Sequence, residues 1–179
     1  MSLLEVRLLL AIAVKHKRIL KQGDVKQAFV QSILPDNEIY VAKPPPGCPY
    51  TPPHTYWLLK RSLYGLRRAP CHWFEKATKI SKNIGLTPCP HAPCLFTGNI
   101  KPGYPPLYLG LYVDDFIYFS ENPTVEKLIE EKLQQQTTVD FMGKVTHFLG
   151  IKFQWNVTFS TVSAHISQPA FTEHLTYAK

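Results

Sequence analysis

Two adjacent carboxylates, Asp114-Asp115, interrupt an otherwise apolar stretch, and no other feature restricts the fold as tightly. Leu107 to Val113 precedes them and Phe116 to Phe119 follows. Both flanks have strand composition, and a two-residue connection between strands makes a tight β-hairpin. The spacing therefore predicts the pair at a hairpin tip. Like charges about 4 Å apart repel by ~4 kcal/mol at an effective dielectric of 20. A solvated turn tolerates this, because Asp suits turn geometry. The flanks Leu109-Gly110-Leu111 and Phe116-Ile117, however, have core character and would hold the tip in one place. A divalent cation would relieve the repulsion, and hard cations such as Mg²⁺ take oxygen ligands of this kind.

Elsewhere the pattern mixes helices and strands. Leu4, Leu8, Ala11 and Val14 recur at helical spacing, which predicts a helix over 3–17. Ile19 to Val25 reads as a strand with Asp24 near its end, and Ala28 to Ile33 as a short helix or turn. Six prolines between 43 and 53 exclude helix and central strand there. Glu38–Val41 and Tyr56–Leu59 flank them as a hairpin with a stiff, solvated tip. Pro70 opens a helix to about Asn83, with Trp73, Phe74, Ala77 and Ile80 on one side and Gly85 as its cap. Residues 87–106 read as loop around a short strand at Cys94–Phe96. Val125–Gln135 reads as a helix, His147–Trp155 and Thr161–Ile166 as strands, and Pro169 as the start of a last helix. The class is α+β.

Length and composition suit one globular domain: 179 residues, 45% hydrophobic and 18% charged. The net charge of +7 favours an anionic partner, nucleic acid being the commonest. Cys48, Cys71, Cys89 and Cys94 lack paired zinc-site spacing and read as reduced thiols. The apolar run Leu8–Val14 is too short to span a bilayer. An intracellular setting without membrane contact is expected, in the cytoplasm or the nucleus.

Several segments together carry a family resemblance. Asp24-Val25-Lys26-Gln27-Ala28-Phe29 is similar to the first catalytic motif of copia-type retrotransposon reverse transcriptases. Ser62-Leu63-Tyr64-Gly65-Leu66 resembles that family's Ser-Leu-Tyr-Gly-Leu motif. Tyr112-Val113-Asp114-Asp115 resembles its Tyr-Val-Asp-Asp box, and Phe148-Leu149-Gly150-Ile151 its later Phe-Leu-Gly-Ile motif. The matches fall in the family's order across nearly all of the chain. Departures are Gly23 before the first Asp, where the family carries a hydrophobic residue, Arg68 and Cys71 where it carries Gln and Arg, and Ala92 where an acid is common.

The resemblance implies an RNA-directed DNA polymerase that extends a primer 3′-hydroxyl on an RNA or DNA template with deoxynucleoside triphosphates. Asp24, Asp114 and Asp115, with the Val25 carbonyl, would hold two Mg²⁺ ions, Mn²⁺ being the alternative. Val25, Phe29, Tyr64 and Gly65 would border the nucleotide, Phe29 lying under the sugar. Lys60, Arg61, Arg67, Arg68 and Tyr112 would contact nucleic acid. The implied architecture is a palm over 1–33 and 71–167, a fingers insertion over about 34–70, and the start of a thumb connection over 168–179. The upstream fingers cations and the thumb are expected outside the chain, which makes it a fragment. The rival reading is an inactive retroelement remnant with residual nucleic-acid binding. A nucleotidyl cyclase on a palm-like fold is more distant, since Tyr64-Gly65 and Phe148-Leu149-Gly150 speak against it.

Overall fold

The computed structural model describes residues 1–49, 52 and 54–172. The chain forms two compact units, Met1–Lys26 with Ile80–Lys179, and Gln27–Lys79. The second unit extends beyond the 34–70 span at both ends.

The first unit begins with helix α1, Leu3–Lys15, two residues shorter at its C-terminus than the sequence pattern. Ser2 and Glu5 form a reciprocal capping box that satisfies two backbone donors at its start. Strands β1 (Lys21–Val25), β4 (Thr87–Cys89), β5 (Ala92–Gly98), β6 (Leu107–Tyr112), β7 (Asp115–Ser120) and β8 (Val139–Lys144) make one sheet. Its order is β4-β5-β6-β7-β1-β8, and all neighbours are antiparallel. Helix α3, Pro123–Gln134, follows β7. A smaller sheet holds β9 (His147–Phe148), β10 (Ile151–Val157) and β11 (Val162–Ser167), in the order β11-β10-β9.

Burial explains why β7 reads as a continuous apolar run: both faces of the strand are covered. Ile117 and Phe119 join the core formed with Val6, Leu9 and Ala13 of α1. On the other face Tyr118 is fully buried, and its hydroxyl donates to Glu130 of α3 at 2.6 Å. Glu126 of α3 is 3% exposed and accepts from Arg18 and Lys21, both at 3.2 Å. Arg18 and Lys21 thus tie the start of β1 to α3. Buried pairs of this kind lose several kcal/mol when one partner is removed.

In the second unit, β2 (Val41–Ala42) and β3 (Trp57–Leu58) pair antiparallel below the proline-rich segment, of which Pro53 lies outside the described residues. A 3₁₀ turn covers Phe29–Gln31. Helix α2, Ala69–Asn83, starts in the second unit and ends in the first, and Gly85 follows it at φ +98°, in the left-handed region a C-terminal cap uses.

Two expectations are corrected, and one unassigned stretch forms a strand. Residues 87–106 are not loop around one short strand, because β4 and β5 form a hairpin that adds the sheet's outer edge. His147–Trp155 is not a single strand. Leu149 and Gly150 sit at φ +51° and +72° and reverse the chain, so that Phe148 pairs with Ile151 and both enter the core. The strand β8 lies in a stretch left unassigned by the sequence pattern. The helix expected from Pro169 runs over 169–172, and its continuation falls outside the described residues. Among the described residues no helix is long and apolar enough to cross a membrane.

Gly98 in β5 tests the packing directly. A Cβ there would lie 2.2 Å from the carbonyl oxygen of Gly85, which belongs to the backbone and has little room to yield. Gly98→Ala is expected to destabilise the chain by about 1–3 kcal/mol, the usual cost of overpacking, read from the urea midpoint at constant m-value. An unchanged midpoint would show that the β5 edge is looser than described.

Candidate active site

Antiparallel pairing of β1 with β7 sets the geometry. Its register places Gly23 opposite Phe116 and Asp24 opposite Asp115. Within the β6–β7 hairpin Tyr112 pairs with Asp115. The two-residue tip is therefore Val113-Asp114, not Asp114-Asp115, and Asp115 is the first residue of a strand. The cause is the cross-strand pair itself, which leaves only Val113 and Asp114 to turn. Val113 adopts φ +54°, a costly conformation for a β-branched residue. The Val25 amide donates to the Asp114 carbonyl at 2.8 Å, which ties the tip to the end of β1.

The three carboxylates named from the sequence are thus brought together. Burial raises the Asp24 pKa above its ordinary value, and the charges of Asp114 and Asp140 raise it further against the opposing charge of Lys26. Asp115 is raised by burial, then by Asp114 and Asp24, with a hydrogen bond from Gln22 opposing. Asp140 went unnoticed in the sequence. It lies opposite Asp24 on β8, and its Oδ2 takes the Lys26 ammonium at 2.6 Å. The alternation Val139-Asp140-Phe141 was the available signal, with Val139 buried and Asp140 exposed.

Gly23 departs from the family's hydrophobic residue, and its cross-strand neighbour accounts for the space. A Cβ on Gly23 would lie 2.3 Å from Cζ of Phe116, so the Phe116 ring occupies the volume a side chain would need. An aromatic ring laid over a cross-strand glycine restores packing the glycine lacks. Phe141 of β8 meets Phe116 edge-on, with centroids 6.0 Å apart. This aromatic pair lies one position along the register from Asp24 and Asp115, on the opposite face of the sheet.

The other named residues belong to the second unit, apart from Tyr112, which is exposed beside the tip. Phe29 and Tyr64 contact each other, with centroids 4.7 Å apart and planes at 51°. Phe29 is half-buried and Tyr64 exposed. Gly65 has φ +96°, a turn conformation that favours glycine. Lys60, Arg61 and Arg67 are exposed, Arg61 reaching the carbonyls of Val30 and Gln31 at 3.5 Å. Arg68 is exposed too, but its guanidinium pairs with Glu38. Among the described residues its charge is already matched, unlike those of the other three.

The donor set suits a hard cation: carboxylates only, with burial and then the Asp114 charge raising the pKa of both Asp24 and Asp115. Among the described residues no three His, Cys, Asp or Glu side chains converge as a ready-made ligand cluster. The backbone register alone brings the three carboxylates to one end of the sheet.

The sequence profile described as reverse transcriptase (RNA-dependent DNA polymerase) matches residues 1–175. The Retrovirus-related Pol polyprotein from transposon RE1 of Arabidopsis thaliana is 29% identical over 82% of this chain and 10% of its own length. The Putative transposon Ty5-1 protein YCL074W of Saccharomyces cerevisiae is 31% identical over 72% of this chain and 41% of its own. The Retrovirus-related Pol polyprotein from transposon TNT 1-94 of Nicotiana tabacum is 26% identical over 82% of this chain and 11% of its own. The chain therefore spans less than half the length of each of these relatives. No solved structure matches it.

The raised carboxylate pKa values give a signed prediction. A carboxyl group with a folded pKa above its unfolded value stabilises the fold below the unfolded pKa, and that stability is lost as pH rises through the folded pKa. In metal-free buffer at pH 7, Asp24→Asn and Asp115→Asn should each raise the melting temperature slightly. The gain should vanish as the pH falls below about 4, where the native carboxyls are themselves neutral. A melting temperature that drops at pH 7 in both variants would contradict the repulsive cluster.

Proposed function

The chain belongs to the reverse transcriptase (RNA-dependent DNA polymerase) family of copia-type retrotransposons, and from that premise we propose that Asp24, Asp114 and Asp115 form its nucleotidyl-transfer centre. The observation that carries the reading is the β1–β7 register, with Asp24 opposite Asp115 and Val25 bonded to Asp114. Members of this family generally use divalent metal ions. Two Mg²⁺ ions, when bound, would lower the pKa of the primer 3′-hydroxyl and stabilise the leaving pyrophosphate.

The chain's own residues divide the remaining work. Asp24, Asp114 and Asp115 supply the anionic ligands, and the Val25 carbonyl is a neutral one. The Phe116–Phe141 pair, one residue along and on the opposite face of the sheet, fixes the strands that carry the carboxylates. Phe29 bears on the sugar and excludes a ribose 2′-hydroxyl, with Tyr64 as its lateral support. Gly65 lets the backbone approach the nucleotide. Lys60, Arg61 and Arg67 meet backbone phosphates, and Tyr112 flanks the primer end. In this reading the first unit is the palm and the second carries the fingers.

Three expected outcomes follow from these roles. Primer extension on RNA and DNA templates with Mg²⁺ or Mn²⁺, within a full-length enzyme of this family carrying these residues, should disappear with Asp24→Asn or Asp114→Asn. Extension that survives both changes would remove the carboxylates from the chemistry. In the same setting Phe29→Val should raise ribonucleotide incorporation relative to deoxynucleotide, and an unchanged ratio would make Phe29 a packing residue. Binding of the 1–179 chain to a primer–template should weaken steeply with salt. Replacing Lys60, Arg61 and Arg67 with Ala should flatten the slope by roughly one unit for each phosphate no longer neutralised. Arg68→Ala should move it least.

A further inference from the structure

The second unit holds a buried polar chain with no part in the roles above. Ser62 is 0% exposed, and its Oγ lies 3.0 Å from Nδ1 of His72. His72 is 6% exposed, and its Nε2 lies 3.2 Å from the Glu38 carboxylate. Glu38 also accepts from the Tyr40 hydroxyl at 2.9 Å and from Arg68. Burial alone would raise the Glu38 pKa, but the hydrogen bonds from Tyr40 and His72 and the charge of Arg68 hold it below its ordinary value. An ionised carboxylate only accepts, so the facing Nε2 carries a proton. In the neutral ring Nδ1 is then an acceptor, and the Ser62 hydroxyl donates to it.

A serine, a histidine and an acid in line resemble a nucleophilic triad. Burial excludes that use here, because no substrate reaches a serine with no exposed surface. What the chain does hold is a loop. Leu63, Tyr64 and Gly65 are exposed and lack a core of their own, so the turn depends on its ends. At one end Ser62 is fixed by His72 and by its amide, which donates to the Ser32 carbonyl at 2.9 Å. At the other end the Leu66 carbonyl accepts from the amide of Ala69, the first residue of α2, and the same helix carries His72.

We propose that Glu38 and His72 are positioning residues that act through Ser62 to set the Tyr64-Gly65 turn against Phe29. Glu38 precedes β2, whereas Ser62, Arg68 and His72 belong to the turn and α2. One carboxylate thereby links the base of the proline-rich hairpin to the turn. Arg68, which replaces the family's Gln, is a second clamp on that carboxylate in this chain. The consequence for nucleotide binding rests on the site proposed above, whereas the positioning itself does not.

The test is NMR on the isotopically labelled 1–179 chain, with Tyr118 resonances reporting the integrity of the other unit. The Phe29–Tyr64 ring cross-peak should weaken in Glu38→Ala and in Ser62→Ala. It should persist in Glu38→Gln, which keeps an oxygen acceptor for His72. In the neutral ring, the imidazole ¹⁵N spectrum should show an unprotonated Nδ1 and a protonated Nε2. A cross-peak unchanged in both Glu38→Ala and Ser62→Ala would overturn the proposal, even with Ser62→Ala as the gentler change. A separate arm titrates Mg²⁺–dATP and follows Tyr64 and Gly65. Ser62→Ala should weaken that binding roughly tenfold, or about 1.4 kcal/mol. Parent shifts absent in this arm, with the cross-peak still responding to the variants, would reject the nucleotide site while upholding the positioning.

Discussion

Backbone pairing between β1 and β7 forces together what electrostatics would separate. The ladder sets Asp24 beside Asp115, and the β6–β7 turn sets Asp114 next to both. Among the described residues none of these carboxylates has a cationic partner of its own, since the nearby Lys26 is taken by Asp140. The repulsion persists because the strands cannot slip. A one-residue shift would turn Ile117 and Phe119 out of the core and drive the Phe116 ring off Gly23. Hydrophobic burial on either side of β7 thus maintains an unfavourable charge cluster, the condition under which a bound cation gains most.

The support for this strand pair is layered. On one face α1 packs its Val6, Leu9 and Ala13 against Ile117 and Phe119. On the other, Tyr118 and the Glu126–Arg18–Lys21 ion cluster join β7, β1 and α3. The Phe148-Leu149-Gly150-Ile151 motif serves the same core. Its two-residue reversal at positive φ buries Phe148 and Ile151 from opposite strands of one hairpin. That motif is structural, although its sequence resemblance stands beside catalytic ones. Strain at Val113 follows the same logic: a costly turn residue is tolerated where the flanking strands are over-determined.

Much of this was legible in the residues. The apolar flanks of Asp114-Asp115 specified a hairpin, and Trp73, Ala77 and Ile80 specified the buried side of α2. The position of the turn was not legible, because composition does not say which two residues a hairpin leaves unpaired. β8 escaped notice because Met142, Gly143 and Lys144 break its alternation. Asp140 and its pairing with Lys26 were lost with it. Arg68 read as one of four equivalent cations, since nothing in sequence separates a free guanidinium from one matched by Glu38 thirty residues away. Gly23 read as a departure, and only the cross-strand register reveals Phe116 as its counterpart.

The most direct measurement is paramagnetic broadening by Mn²⁺ titrated into the ¹⁵N-labelled chain. The β1–β7 register is proposed to gather Asp24, Asp114 and Asp115 into one shared site for divalent cations. The expected result is early loss of the amide signals of Val25, Val113, Asp114, Asp115 and Phe116, reversed by Mg²⁺ and absent in Asp115→Asn. Broadening that begins elsewhere, at Glu121 or Asp36 for instance, or that survives Asp115→Asn, would contradict it.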